Sequence, residues 1–199
     1  MKIINLTRDS NIYTSNVYFL LGDRKGMDDV NTLIDVGRDP SIIEKIKGLN
    51  TGAGKQSVEK VILTHGHYDH VDLLPIIKDE FYPKAYSFHS FDGVNYTLKD
   101  GQTLKLADRW FEVIHTPGHT GDSICLYCEQ DHVLFSGDTS LIISTTDGSY
   151  MEDFVSALKK VARREVRTIY PGHGEPITED VKKLIYLSLN NVRKSKIIQ

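Results

Sequence analysis

The chain has 199 residues, enough to bury a core without disulfides and consistent with a single domain over 1–199. With 40% hydrophobic and 26% charged residues and a net charge of −3, it lacks the overall basic field that draws a protein to nucleic acid. No apolar run nears the roughly 20 residues that span a bilayer. The opening MKIINLTRDSNIYTSNVYFLLG lacks a basic start and a cleavage site, so a soluble cytoplasmic protein is expected.

Taken in chain order, strands are expected at residues 2–6, 16–21 and 31–37, the last closing on Gly37. DPSIIEKIKG predicts a short helix, with Asp39 able to cap it, Pro40 in its first turn and Gly48 ending it. Residues 58–64 form a β-branched, apolar strand. DHVDLLPIIKDEF then starts a helix in which Pro75 must sit early or bend the axis. The middle of the chain is strand-rich, at 84–88, 102–106, 109–116, 123–128 and 132–137. A helix over 151–165 carries Phe154, Val155, Leu158, Val161 and Ala162 at helical spacing. A strand at 166–171 and a helix at 178–196, opening on Thr178, complete the order; the basic end VRKSK suits that helix's dipole. This pattern describes a mixed α/β protein with helices outside layered sheets. Cys125 and Cys128 form a CxxC on a strand, where positions three apart face opposite ways, so both are expected to be structural thiols.

Four strand-like runs end on residues able to ligate metal. VILT leads to His65, His67, Asp69 and His70; VIHTPG leads to His119; VLFSG leads to Asp138; TIYPG leads to His173. Rigid strands that deliver ligands from their ends fix a site closely. Imidazole and carboxylate donors suit zinc, iron or manganese, and the lack of thiolates argues against a closed structural zinc site. Five histidines and two aspartates exceed the needs of one four-coordinate ion. They suit two ions sharing a bridging carboxylate, with positions left open for water or substrate. Within the cluster, His65 and His67 project to one side of an extended loop, while the turn into the following helix re-aims Asp69 and His70. His89, His115 and His132 are expected to play no part.

THGHYDH, TPGHT, SGDT and YPGHG, in that order, resemble the successive motifs of the metallo-β-lactamase superfamily, over about residues 2 to 190. The resemblance implies a four-layer αββα sandwich with a dinuclear site at one edge of its two sheets. It places His65, His67 and His119 on a first metal, Asp69, His70 and His173 on a second, and Asp138 between them. Two divalent ions are implied, zinc in the first place, with iron or manganese as alternatives. The implied chemistry is hydrolysis by a hydroxide held between the metals, which Asp69 helps to orient.

TPGHTGDS and GDTSL look most like the glyoxalase II-like branch, which cleaves thioesters. The chain departs from it in carrying Val71, Asp72 and Leu73 where that branch has Gly-Gly, and with about two dozen residues after His173 it is expected to do without the C-terminal helical domain that grips glutathione. The expected activity is therefore hydrolysis of a small thioester, lactone or ester. Two alternatives stand beside it: a mononuclear iron persulfide dioxygenase, and a catalytically silent metal-binding module. The expected partner is a small-molecule substrate, without nucleic acid or membrane, and the oligomeric state is not readable. The TSNVYF segment (14–19) and loops 49–57, 91–97 and 144–150 are candidates for substrate selection, with Tyr18 and Tyr150 as candidate hydrogen-bond donors.

Overall fold

A computed structural model describes residues 1–24 and 26–198. The chain divides into two compact units, one of Met1–Leu98 with Leu104–Trp110, the other of Lys99–Thr103 with Phe111 onward.

The first unit is built on a six-stranded sheet in chain order: β1 (Lys2–Asn5), β2 (Tyr18–Leu21), β3 (Thr32–Ile34), β4 (Lys60–Ile62), β5 (Lys84–Ser87) and β6 (Tyr96–Thr97). The first three strands pair antiparallel and the rest parallel. Parallel pairing needs a crossover, and α1 (Ser41–Lys47) supplies it between β3 and β4. Ile42 and Ile46, four apart on α1, share a core with Phe19, Leu33, Val61 and Ala85 of the sheet. Each of these larger side chains, Ala85 aside, contributes roughly 1.5–3 kcal/mol by its burial. The alternate residues Leu20, Ile34 and Ile62 are equally buried, which is why these strands read as continuous apolar runs.

The single helix predicted after the histidine cluster is two helices, α2 (Tyr68–Val71) and α3 (Leu74–Phe81). Pro75 sits in the first turn of α3 and has no N–H to donate to the preceding turn, while the Leu73 N–H turns aside to the Gly37 carbonyl at 3.1 Å. Asp39 does bond the Ser41 N–H at 3.0 Å, although the cap position itself is Pro40.

The chain passes from the first unit to the second through β7 (Thr103–Leu106) and β8 (Arg109–His115). β8, β9 (Ile124–Cys128) and β10 (Val133–Gly137) form an antiparallel meander, and β12 (Thr168–Pro171) lies parallel to β10. Helices α4 (Glu152–Ala162) and α5 (Val181–Lys194) share one core with this sheet, joining Phe154, Leu158, Ile185 and Leu189 to Ile114, Leu134 and Ile169. Helix α5 starts three residues later than predicted: its cap position is Asp180 in the left-handed region (φ 51°), and Thr178 does not cap it. Two short strands, β11 (Ser149–Met151) and β13 (Lys196–Ile198), pair parallel, with Tyr150 opposite Ile197. Among the described residues no helix is long and apolar enough to cross a membrane.

Candidate metal centre

In the first unit, β4 ends and the chain continues through Leu63 and Thr64 to His65, which is 1% exposed. His67 takes the cap position of α2 in an extended conformation, and that turn brings Asp69 and His70 into the helix. The His65 ring lies 4.7 Å from that of His67 and 4.1 Å from that of His70. Asp69 is buried, and its Oδ2 stands 4.0 Å from His70 Nε2.

Beneath this cluster sits Asp35, at the end of the neighbouring strand β3 and itself left-handed (φ 58°). Its Oδ1 accepts the Thr64 N–H at 2.8 Å, and its Oδ2 accepts the Thr64 hydroxyl at 2.8 Å and His70 Nδ1–H at 2.8 Å. A carboxylate can only accept, so His70 carries its proton on Nδ1 and offers the Nε2 lone pair as a ligand. The Thr64 hydroxyl has spent its hydrogen on Asp35 and so accepts from His65 Nδ1 at 3.2 Å, which fixes His65 in the same tautomer. Val36 and Gly37 N–H groups hold the His70 carbonyl at 2.9 and 3.1 Å. Gly37 must be glycine: its φ is +64°, and a Cβ would meet Thr14 Oγ1 at 2.5 Å.

In the second unit, His119 follows β8, Asp138 follows β10, and His173 follows β12. Gly118 lets the loop close on α4, since a Cβ there would meet Phe154 Cδ2 at 2.7 Å. The Gly172 N–H bonds the Gly137 carbonyl at 2.8 Å, tying the two loops that carry Asp138 and His173. Thr116 and Thr139 hydroxyls meet at 2.8 Å below them. His119 Nε2 and His173 Nε2 each stand 3.5 Å from Asp138 Oδ2. Charge-assisted hydrogen bonds are shorter, about 2.7–2.9 Å. Two donors each about 2.1 Å from one ion, at the tetrahedral angle, would lie about 3.4 Å apart. The spacing therefore suits ligands of shared cations. With the donor types and the two fixed imidazole tautomers, the residues fit divalent metal.

Two cavities of the second unit share His119 and Ser140. One, about 360 Å³, places Asp138 and His173 beside the aliphatic side chains of Leu141, Ile142, Ile169 and Ile177. The other, about 260 Å³, is lined by Tyr150, Met151 and Phe154. Tyr150 thus lines a cavity that His119 also lines. Tyr18 does not fit the expectation of a hydrogen-bond donor to substrate: it is 2% exposed, and its hydroxyl accepts from Asn16 Nδ2 at 3.0 Å. His115 and His132 donate to the backbone carbonyls of Gly121 and Glu165, at 2.8 and 3.0 Å. Both cysteines are buried free thiols. Asp35, Thr64, Thr116 and Thr139 went unnoticed in the sequence. For Asp35 a signal existed, because LIDVG is a further apolar strand interrupted by a carboxylate two residues before a Gly.

The metallo-beta-lactamase superfamily model matches residues 12–94 and 90–173, and the chain belongs to that superfamily. A Caenorhabditis elegans beta-lactamase-like protein 2 homolog is 32% identical over 185 residues, covering 84% of this chain and 60% of the relative. An Aspergillus fumigatus atrochrysone carboxyl ACP thioesterase is 27% identical, covering 82% of this chain and 58% of the relative. A probable hydroxyacylglutathione hydrolase of Schizosaccharomyces pombe is 30% identical, covering 72% and 59%. The glyoxalase II-like resemblance thus has a counterpart among the relatives. The chain spans about three-fifths of the length of these relatives. A Thermus thermophilus metallo-beta-lactamase family protein superposes with a TM-score of 0.68 at 20% identity, over 93% of this chain and 76% of that one. The fold expected from the motifs is the fold the chain has.

Proposed function

We propose that the chain is a metal-dependent hydrolase that cleaves a thioester, with lactones and other small esters as the neighbouring substrate class. The observation that carries this reading is the approach of two imidazole nitrogens to one Asp138 oxygen at metal-sharing distance. In the proposed arrangement His65, His67 and His119 would hold one divalent ion and Asp69, His70 and His173 a second, with Asp138 available to both. Once bound, such ions supply an activated water at neutral pH and polarise the scissile carbonyl. Asp35 and Thr64 keep His70 and His65 aimed through Nε2. Asp69, acceptor-only as a carboxylate, takes a hydrogen bond from the attacking water and orients it. The aliphatic cavity beside Asp138 and His173 receives the acyl side against its apolar side chains. The names of two relatives, a thioesterase and a probable hydroxyacylglutathione hydrolase, support the choice of bond. The ACP in the Aspergillus relative's name makes a thioester borne on an acyl carrier protein one form the substrate could take.

The test is elemental analysis of protein purified without chelator, joined to a panel of thioesters, lactones and a persulfide. About two zinc, iron or manganese ions per chain are expected, with thioester turnover lost on chelation and restored by metal. One iron per chain with oxygen uptake on the persulfide would replace the hydrolase by a dioxygenase. Bound metal with no turnover of any substrate would leave a silent metal-binding module.

A further inference from the structure

Helices α4 and α5 leave a groove of about 200 Å³ between them, with Ala162 and Leu189 beside Lys159, Arg163, Tyr186 and Arg193. Among the described residues no carboxylate lines it. Three cations nearby are matched: Lys160 pairs with Asp100 at 2.7 Å, Arg164 with Glu112, and Lys182 with Glu165. Lys159, Arg163 and Arg193 form no ion pair among the described residues. Three like charges lining one small groove repel one another. The dipoles at the ends of α4 and α5 favour a cation on each helix, but do not require both helices to turn their cations onto one groove. The sequence concentrates charge the same way. Residues 156–199 hold ten Lys and Arg against four Asp and Glu, in a chain whose net charge is −3.

We infer that this groove docks an acidic protein that carries the thioester to be cleaved. The inference rests on the hydrolase reading and names the partner that would present the substrate. Its basis is charge complementarity over a confined patch. Residues 1–155 carry 14 Lys and Arg against 23 Asp and Glu, so a long polyanion such as RNA would find its attraction limited to the groove. A compact acidic surface meets only the groove, and complementary charge steers its encounter. Helix α4 joins the groove to the candidate site. Phe154 lines the cavity next to His119, and Lys159 and Arg163 follow at roughly 8 and 14 Å along the helix axis. A protein held at the groove would have its thioester arm within a few helical turns of that cavity.

The experiment compares one acyl group on two thiols, an acidic acyl carrier protein and a small free thiol such as pantetheine. The enzymes are wild type, the triple charge reversal Lys159→Glu, Arg163→Glu, Arg193→Glu, and the milder triple Gln variant. For the carrier substrate, kcat/KM is expected to fall about tenfold or more in the Glu variant and less in the Gln variant. Wild-type turnover of it should weaken steeply with salt. Turnover of the free thioester should be unchanged in both variants, which shows that fold and site are intact. Equal loss on both substrates, or full carrier activity in the Glu variant, overturns the docking site. So does a groove that binds a single-stranded oligonucleotide in preference to the carrier. If wild type cleaves neither thioester, the hydrolase reading fails by itself. Docking is then judged from carrier binding by fluorescence anisotropy, which the charge reversal should abolish.

Discussion

Asp35 Oδ2 lies 2.8 Å from His70 Nδ1, with both side chains almost wholly buried. The pair sets which nitrogen of His70 faces outward, so an amide at position 35 would offer a donor where an acceptor is needed. Asn tolerates the left-handed backbone there, so Asp35→Asn should spare the turn while disturbing the tautomer. Metal affinity, measured by competition with a chelator, should fall about 10- to 100-fold. Unchanged affinity would show that Asp35 serves the fold alone.

Removal of ligands from the second unit tests the shared-ion spacing directly. His119→Ala and His173→Ala should each lower the bound metal from about two ions per chain toward one. Asp138→Ala should weaken both. Thioester turnover should drop at least about 100-fold in each, more than a change behind the ligands brings about. Full metal content in Asp138→Ala would rule out the bridging role.

The sequence made the donors legible because their chemistry is local: HGHYDH needs no tertiary context to look unlike a folding element. The strand ends were legible for the same reason, each being an apolar run that gives out beside a Gly. Asp35 was hidden because a lone aspartate before Val-Gly is also an ordinary turn, and only the pairing of β3 with β4 brings it under Thr64. β11 and β13 were hidden because each is three residues long and exists through pairing with a segment far along the chain. The split between α2 and α3 was half legible. Pro75 marked the place, but the bond from Leu73 to Gly37 that parts the two helices comes from elsewhere in the fold.

Cys125 is fully buried, and burial pushes its thiol up to about 11 from 9.0, against opposing hydrogen bonds from Thr116 and Thr139. The folded protein thus holds this proton more tightly than the unfolded chain. Stability from this group is complete below pH 9.0 and is lost as pH rises toward about 11. The loss amounts to about 3 kcal/mol at most. Cys125→Ala should flatten the alkaline fall in melting temperature over that window, whatever its offset near neutrality. A thiol reagent at pH 8 should leave the folded wild type unlabelled at this position and label it once unfolded. An alkaline fall of the same slope in the variant would place its origin in other groups.

The cavity beside Asp138 and His173 should set acyl preference, because its aliphatic side chains reward apolar area and offer little to a polar chain. Each methylene buried there is worth about 0.8 kcal/mol, so kcat/KM should rise about fourfold per added carbon until the cavity is full. Ile142 is 41% exposed and lines the same cavity, so a larger side chain can enter without disturbing the core. Ile142→Trp should move the optimum to shorter acyl groups and leave metal content and melting temperature as they were. If the length profile of the variant overlays that of wild type, the acyl group lies elsewhere. The neighbouring cavity lined by Tyr150 and Phe154 would then be its place, and Tyr150→Ala the variant to shift the profile.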